Sequence, residues 1–214
     1  MGIGVPPEPS VRGALGVAPG SAEEGLWSDL REGDPTALTA LFDLHADAVH
    51  TFAFRRTASW SSAEDITQAT FLTAWRRAAA RDLPVLDHPT ALPWLLGVAD
   101  HESRSLYRGA LRRRRLHQRI AATRADEPGT ADHAASVAER LDDERQMARV
   151  RAAVDVLPTH QRVVVELVVW SGLSLAQAAS ALGVAEGTVK SRLSRAKSRL
   201  GAELSTAGHS EEAR

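Results

Sequence analysis

Two clusters of cations carry the chemistry available to this sequence. Between residues 190 and 199 every charge is positive, with Lys190, Arg192, Arg195, Lys197 and Arg199 in "VKSRLSRAKSRL". Thr188, Ser191 and Ser194 are interleaved with them. Arginine and lysine donate to guanine edges, while serine, threonine and further cations clamp phosphates, so this mixture suits duplex DNA. A second run, from residue 104 to 124, holds Arg104, Arg108, Arg112, Arg113, Arg114, Arg115, Arg119 and Arg124 with no acid among them. With a formal net charge of -1 over 214 residues, the acids gather elsewhere, at 23–34, Glu64-Asp65 and 126–144. Two basic stretches in a balanced chain predict two separate contacts with a polyanion.

No constellation for covalent or metal chemistry accompanies them, and no catalytic residue, metal or cofactor is assigned. Cysteine is absent, which removes thiolate nucleophiles, thiolate zinc sites and disulfides together, and fits a reducing compartment. Ser194 and Lys197 match a serine-acylase spacing without its partner motifs. The eight histidines show no HExxH, and His45 and His50 fall off one helical face. No apolar run approaches a membrane span, and the N-terminus has no signal-peptide pattern, so a cytoplasmic location is expected.

Helices must position both basic stretches. Residues 35–56 form the first pattern, with Asp34 as N-cap, Pro35 in the first turn, and Leu38, Leu41, Phe42, His45, Val49 and Phe52 on one face. "SSAEDITQATFLTAWRRA" opens a second helix, capped by Ser61 or Ser62 with Glu64 or Asp65 closing a capping box, and with Ile66, Ala69, Leu72 and Trp75 inward. After the proline-broken "RDLPVLDHP", a third helix starts near Thr90 and buries Trp94, Leu95, Val98 and Ala99. On it His101, Arg104, Arg108, Arg112, Arg115 and Arg119 recur every three or four residues, one continuous ridge. "ATRADEPGTADHAAS" is a linker, and "VAERLDDERQMARVRAAVDVL" is helical again. The valine run of "THQRVVVELVVWSG" could be a strand on propensity; Thr159 as N-cap, Gly172 as stop and the lack of a pairing strand favour helix.

The C-terminal stretch "LSLAQAASALGVAEGTVKSRLSRAKSRL" has helix-turn-helix grammar. Ser174 caps a short helix facing inward through Leu175, Ala178, Ala179 and Leu182; Gly183 makes the turn, and Val184 fills the angle. From near Ala185 a second helix buries Val189, Leu193, Ala196 and Leu200 and turns its cations outward.

These residues resemble a known family. "LPTHQRVVVELVVWSGLSLAQAASALGVAEGTVKSRLSRAKSRL" is similar to the C-terminal promoter-binding domain of bacterial sigma factors of the extracytoplasmic-function class. "SAEDITQATFLTAW" and "PWLLGVADHESRSLYRGALRRRR" resemble, in the correct order, that class's polymerase-binding helix and the helix after it. The resemblance implies an all-α, non-enzymatic subunit that binds RNA polymerase core at its clamp and directs it to promoter DNA, duplex and melted. An anti-sigma protein is a further implied partner. Implied boundaries are a disordered tail over 1–24, a first domain over 25–115, a linker over 116–138, a helix-turn-helix domain over 139–204 and a tail over 205–214.

Carried onto this chain, core binding falls to Glu64, Asp65, Gln68 and Phe71. Downstream-element reading falls to His101, Arg104, Arg108, Arg112 and Arg115, with the loop 81–89 where a melted base is captured. The upstream element falls to Thr188, Lys190, Ser191, Arg192, Ser194, Arg195, Lys197 and Arg199. Ser62 and Ala69 replace the usual Asp and Glu of the clamp helix. Asp100-His101 stands where the family often has Arg-Asn, and Asp100 is repulsive toward phosphate unless it turns away. The rival assignment, a stand-alone helix-turn-helix regulator, leaves the polymerase-like helix and the residue 104–119 ridge without a role.

Overall fold

The computed structural model describes the backbone of residues 19–120 and 134–212, with side chains for 22–109 and 139–203. Among the described residues there are eight α-helices, one π-helical segment and no strand, the expected all-α class. Helices α1 (Pro19–Glu32), α2 (Pro35–Thr57), α3 (Trp60–Ala79) and α4 (Leu92–Ile120) build an N-terminal bundle. Helix α5 (Ala134–Val154) leads to α6 (Thr159–Val165), the π segment (Glu166–Trp170), α7 (Leu175–Leu182) and α8 (Glu186–Glu212).

Local chemistry sets most of the boundaries. Asp34 accepts from Thr36 N at 2.8 Å, and Pro35 follows at the first helical position, as expected. Helix α2 stops at Ala58, whose left-handed φ of 52° is unusual for a residue with a Cβ. The cap of α3 is Ser59, accepting from Ser62 N, rather than Ser61 or Ser62. Neither Glu64 nor Asp65, the residues expected to close a capping box, bonds to the cap; Glu144 of α5 instead accepts from Trp60 N at 2.8 Å. Thr159 is likewise the first residue of α6 and not its cap, because the fixed backbone of Pro158 already supplies the extended entry. The valine run is helical, but its second half widens into the π segment, and Gly172 (φ 70°) ends it.

Three expected boundaries shift. The expected tail over 1–24 overlaps α1, which begins at Pro19; residues 1–18 lie outside the described residues. The expected linker over 116–138 is entered by α4 from one side and α5 from the other. Part of it, 121–133, lies outside the described residues. The inward face of α3 also rotates: Leu72 is exposed, while Thr67, Thr70, Phe71 and Ala74 are buried beside Ile66.

One apolar cluster runs through both bundles, joining Trp27, Leu41, Ile66, Leu95 and Leu96 to Val164, Leu167, Ala178 and Val189. Each fully buried Leu of this set contributes on the order of 1.5–3 kcal/mol relative to exposure. The two bundles therefore pack directly on each other, chiefly α7 on α4 and α5 on α2.

Candidate nucleic-acid and polymerase interface

The C-terminal reading head is built by its own turn. Ser174 Oγ accepts from Gln177 N at 3.1 Å and Gln177 Oε1 accepts from Ser174 N at 2.9 Å, a reciprocal box that starts α7. Gly183 (φ 61°) ends it, and Val184 N donates back to Ala179 O. Helix α8 then buries Val189 and Ala196 completely and packs Leu193 and Leu200 beside them. The remaining face carries Lys190, Ser194, Arg195, Lys197 and Arg199 in solvent, with Thr188, Ser191 and Arg192 half-buried at its edge. None of the ion pairs among the described residues uses these cations. Their charge is free for a polyanion.

On α4, His101, Arg104 and Arg108 are exposed. Arg112 and Arg115 belong to the same helix, but their side chains lie outside the described residues. Asp100 turns inward: it is 3% exposed, pairs with Arg56 Nη2 at 2.6 Å and is also held by Arg104. The expected repulsion toward phosphate is thus cancelled inside the protein. The same Arg56 reaches across the bundles to Glu166 Oε2 at 2.5 Å, its side chain only 12% exposed. Burial raises the Glu166 pKa above its ordinary value, and the Arg56 charge opposes that rise.

Along α3, Glu64, Asp65 and Gln68 are exposed on neighbouring turns. Phe71 departs from the expected set, being 5% exposed with its ring 4.8 Å from Phe42. Its partner Phe42 and the nearby Leu72 supply the exposed apolar surface there, at 41% and 48%.

Sequence reasoning missed helix α1, which splints the loop between α3 and α4. Trp27 Nε1 donates to Pro84 O at 2.8 Å and Arg31 Nε to Leu83 O at 3.0 Å. Glu23 Oε1 accepts from Thr90 Oγ1 and Ala91 N at 3.0 and 2.7 Å, and lies 2.5 Å from His45 Nε2. The signal was present: Leu26, Trp27 and Leu30 step at helical spacing before Gly33, inside the expected first domain, although the first helical pattern was expected only from residue 35. The bundles also meet at this loop, where Ser180 Oγ donates to Asp87 Oδ2 at 3.2 Å.

Comparison with known proteins gives two family matches in chain order. A family model described as Sigma-70 region 2 matches residues 41–115, and one described as Sigma-70, region 4 matches residues 147–200. The chain is 33% identical over 159 residues to the ECF RNA polymerase sigma factor SigL of Mycobacterium tuberculosis, covering 73% of this chain and 82% of that protein. It is 31% identical over 170 residues to SigK of Mycolicibacterium vanbaalenii, covering 79% and 83%. Among solved structures, CnrH in complex with the cytosolic domain of CnrY is similar at 25% identity and a TM-score of 0.61, over 86% of this chain and 98% of that one.

Proposed function

The chain belongs to the sigma-70 family, in its extracytoplasmic-function class of RNA polymerase sigma factors, and from that premise we propose how its surfaces divide the work. Glu64, Asp65 and Gln68 on α3 dock on the clamp of core polymerase, aided by the apolar edge of Phe42 and Leu72 rather than by Phe71. His101, Arg104 and Arg108 on α4, continued by Arg112 and Arg115, track the melted downstream element, and the splinted loop 81–89 receives an unstacked base. Helix α8 enters the major groove of the upstream element through Thr188, Lys190, Ser191, Arg192, Ser194, Arg195, Lys197 and Arg199. The protein performs no chemistry of its own and works in the cytoplasm, where an anti-sigma protein can hold it inactive; a similar sigma factor, RpoE of Bartonella quintana, is found in complex with the anti-sigma factor NepR.

One observation carries this reading over a stand-alone regulator. The face of α8 is unpaired and cationic, yet the exposed acids of α3 sit on a separate bundle that duplex binding alone would not use. The test is co-elution with core polymerase. The chain is expected to bind core, and Asp65→Arg to weaken that binding tenfold or more while leaving duplex upstream-element binding intact. Binding to DNA with no affinity for core would instead support the regulator.

A further inference from the structure

A cleft of about 560 Å³ opens between α4 and the corner where α5 meets α6. Its volume falls in the range of roughly 300–1,000 Å³ usual for small-molecule sites. Five arginines line it: Arg56 of α2, Arg104 and Arg108 of α4, Arg151 of α5 and Arg162 of α6. Three carboxylates answer them. Asp100 is shared by Arg56 and Arg104, Glu166 is held by Arg56, and Asp155 is shared by Arg151 and Arg162. Arg108 has no acid within ion-pair distance among the described residues. Five guanidinium charges against three carboxylates leave an excess of two in a concave site, where low-dielectric walls concentrate their field.

Arg162 has donors to spare. Its Nη1 donates to Asp155 and its Nη2 to Leu157 O at 3.2 Å, but its buried Nε has no hydrogen-bond partner among the described residues. A buried donor on a charged group costs free energy until an acceptor reaches it. On the α4 side, Arg108 is exposed with its whole fork of donors open, and Tyr107 beside it is 63% exposed. Thr159 adds an exposed hydroxyl on the α6 side. Planar guanidinium forks match phosphoryl oxygens, and an exposed phenol ring offers a face on which a base stacks.

We propose that this cleft binds one free nucleotide of the nucleoside diphosphate class, its phosphates held by Arg104, Arg108 and Arg162 and its base stacked on Tyr107. The excess of two charges, with open donors on both α4 and α6, suits two adjacent phosphoryl groups rather than one. A nucleic-acid strand is the other source of the same chemistry. It fits less well: a strand tracking α4 runs on toward Arg112 and Arg115, whereas Arg162 and Thr159 belong to the other bundle and stand across the cleft from that path. Arg104 and Arg108 are common to both, so the nucleotide and the melted downstream strand compete for them. That competition alone rests on the sigma-factor reading given above.

Calorimetric titration of the full-length protein with ADP, pyrophosphate and adenosine tests the site. One ADP is expected to bind per chain, with pyrophosphate severalfold weaker and adenosine not detected. Arg162→Gln and the exposed Arg108→Gln, which leaves the interior untouched, are each expected to weaken ADP about tenfold, the loss of one charge-assisted hydrogen bond. Tyr107→Ala should bring ADP down to the affinity of pyrophosphate and leave pyrophosphate unchanged. Arg145→Gln, at an exposed arginine of α5 outside the cleft, should leave ADP affinity as it is. The proposal is overturned by no saturable ADP binding up to about 1 mM, by pyrophosphate or adenosine binding as tightly as ADP, by ADP affinity indifferent to the three cleft variants, or by an equal loss in Arg145→Gln. Saturating ADP is further expected to weaken binding of a downstream-element single strand to the parent protein and not to Arg162→Gln. ADP that binds with the predicted variant pattern yet leaves the strand in place would overturn the assignment of Arg104 and Arg108 to the downstream element instead.

Discussion

Replacing Arg56 with methionine isolates the energetics of the contact between bundles. The Arg56 side chain bridges two buried carboxylates and lies over the Phe52 ring, 5.7 Å from its centroid. After Arg56→Met, Asp100 keeps Arg104 as an ion-pair partner on its own helix. Glu166, its side chain 3% exposed, keeps no partner within ion-pair distance among the described residues. Leaving one buried charge uncompensated costs about 3–5 kcal/mol. That figure is a ceiling, because Glu166 can also escape by protonation or by separation of the bundles.

The pH dependence tells these routes apart. The folded Glu166 pKa is already raised by burial, and losing Arg56 removes the strongest of the charges that hold it down, leaving the weaker pull of Arg162 and Arg151. A raised carboxylate binds its proton more tightly in the folded state, so the deficit is full above the folded pKa and fades as pH falls toward the unfolded value of 4.5. Urea unfolding of Arg56→Met and the parent at pH 7 and pH 5, with a scattering measurement at each, is the assay. A deficit of a few kcal/mol at pH 7 that shrinks at pH 5, or a clear expansion at pH 7, is expected. Adding Glu166→Gln should recover most of the loss. A deficit that is independent of pH in a compact protein would refute the reasoning, as would no deficit and no expansion.

Ala58→Gly should stabilise the protein by roughly 0.5–1 kcal/mol in denaturant unfolding, since a Cβ at φ 52° costs about 1–2 kcal/mol and glycine returns part of that gain as unfolded-state entropy. Ser174→Ala should lose about 1 kcal/mol by removing the reciprocal box that starts α7, read as a lower unfolding midpoint. Arg195→Ala should weaken upstream-duplex binding by about 1–3 kcal/mol if it reads a base, or lower the salt slope by roughly 0.9 if it clamps a phosphate; titration at several salt concentrations distinguishes the two. Arg31→Leu should reduce discrimination among downstream-element variants in transcription while core binding holds, because Leu83 O loses its anchor.

The helix-turn-helix was legible because its determinants are local: Ser174 and Gln177 are three residues apart, and Gly183 marks its own turn. The exposed start of the ridge on α4, His101, Arg104 and Arg108, followed from periodicity for the same reason. Periodicity states which residues share a face, but not what that face meets. Asp100 looked like a liability on a basic helix because its neutralising partner Arg56 belongs to α2, and the Glu166 that shares that arginine lies 110 residues beyond it in sequence. Phe71 came with Glu64, Asp65 and Gln68 through the resemblance alone, and what covers it, Phe42 on α2, could not be read from its own helix. The missed cap at Ser59 and the misplaced one at Thr159 show competition among adjacent hydroxyl and proline signals, which only the backbone direction on entry resolves.

The central claim is that this chain confers promoter choice on RNA polymerase, and in vitro transcription with purified core polymerase tests it most directly. Core with the full-length chain should give transcripts that start at one position on a cognate promoter and fall at least tenfold when either element is scrambled. Transcripts insensitive to both elements, or none on any promoter from a genomic library while the chain still binds duplex DNA, would contradict it.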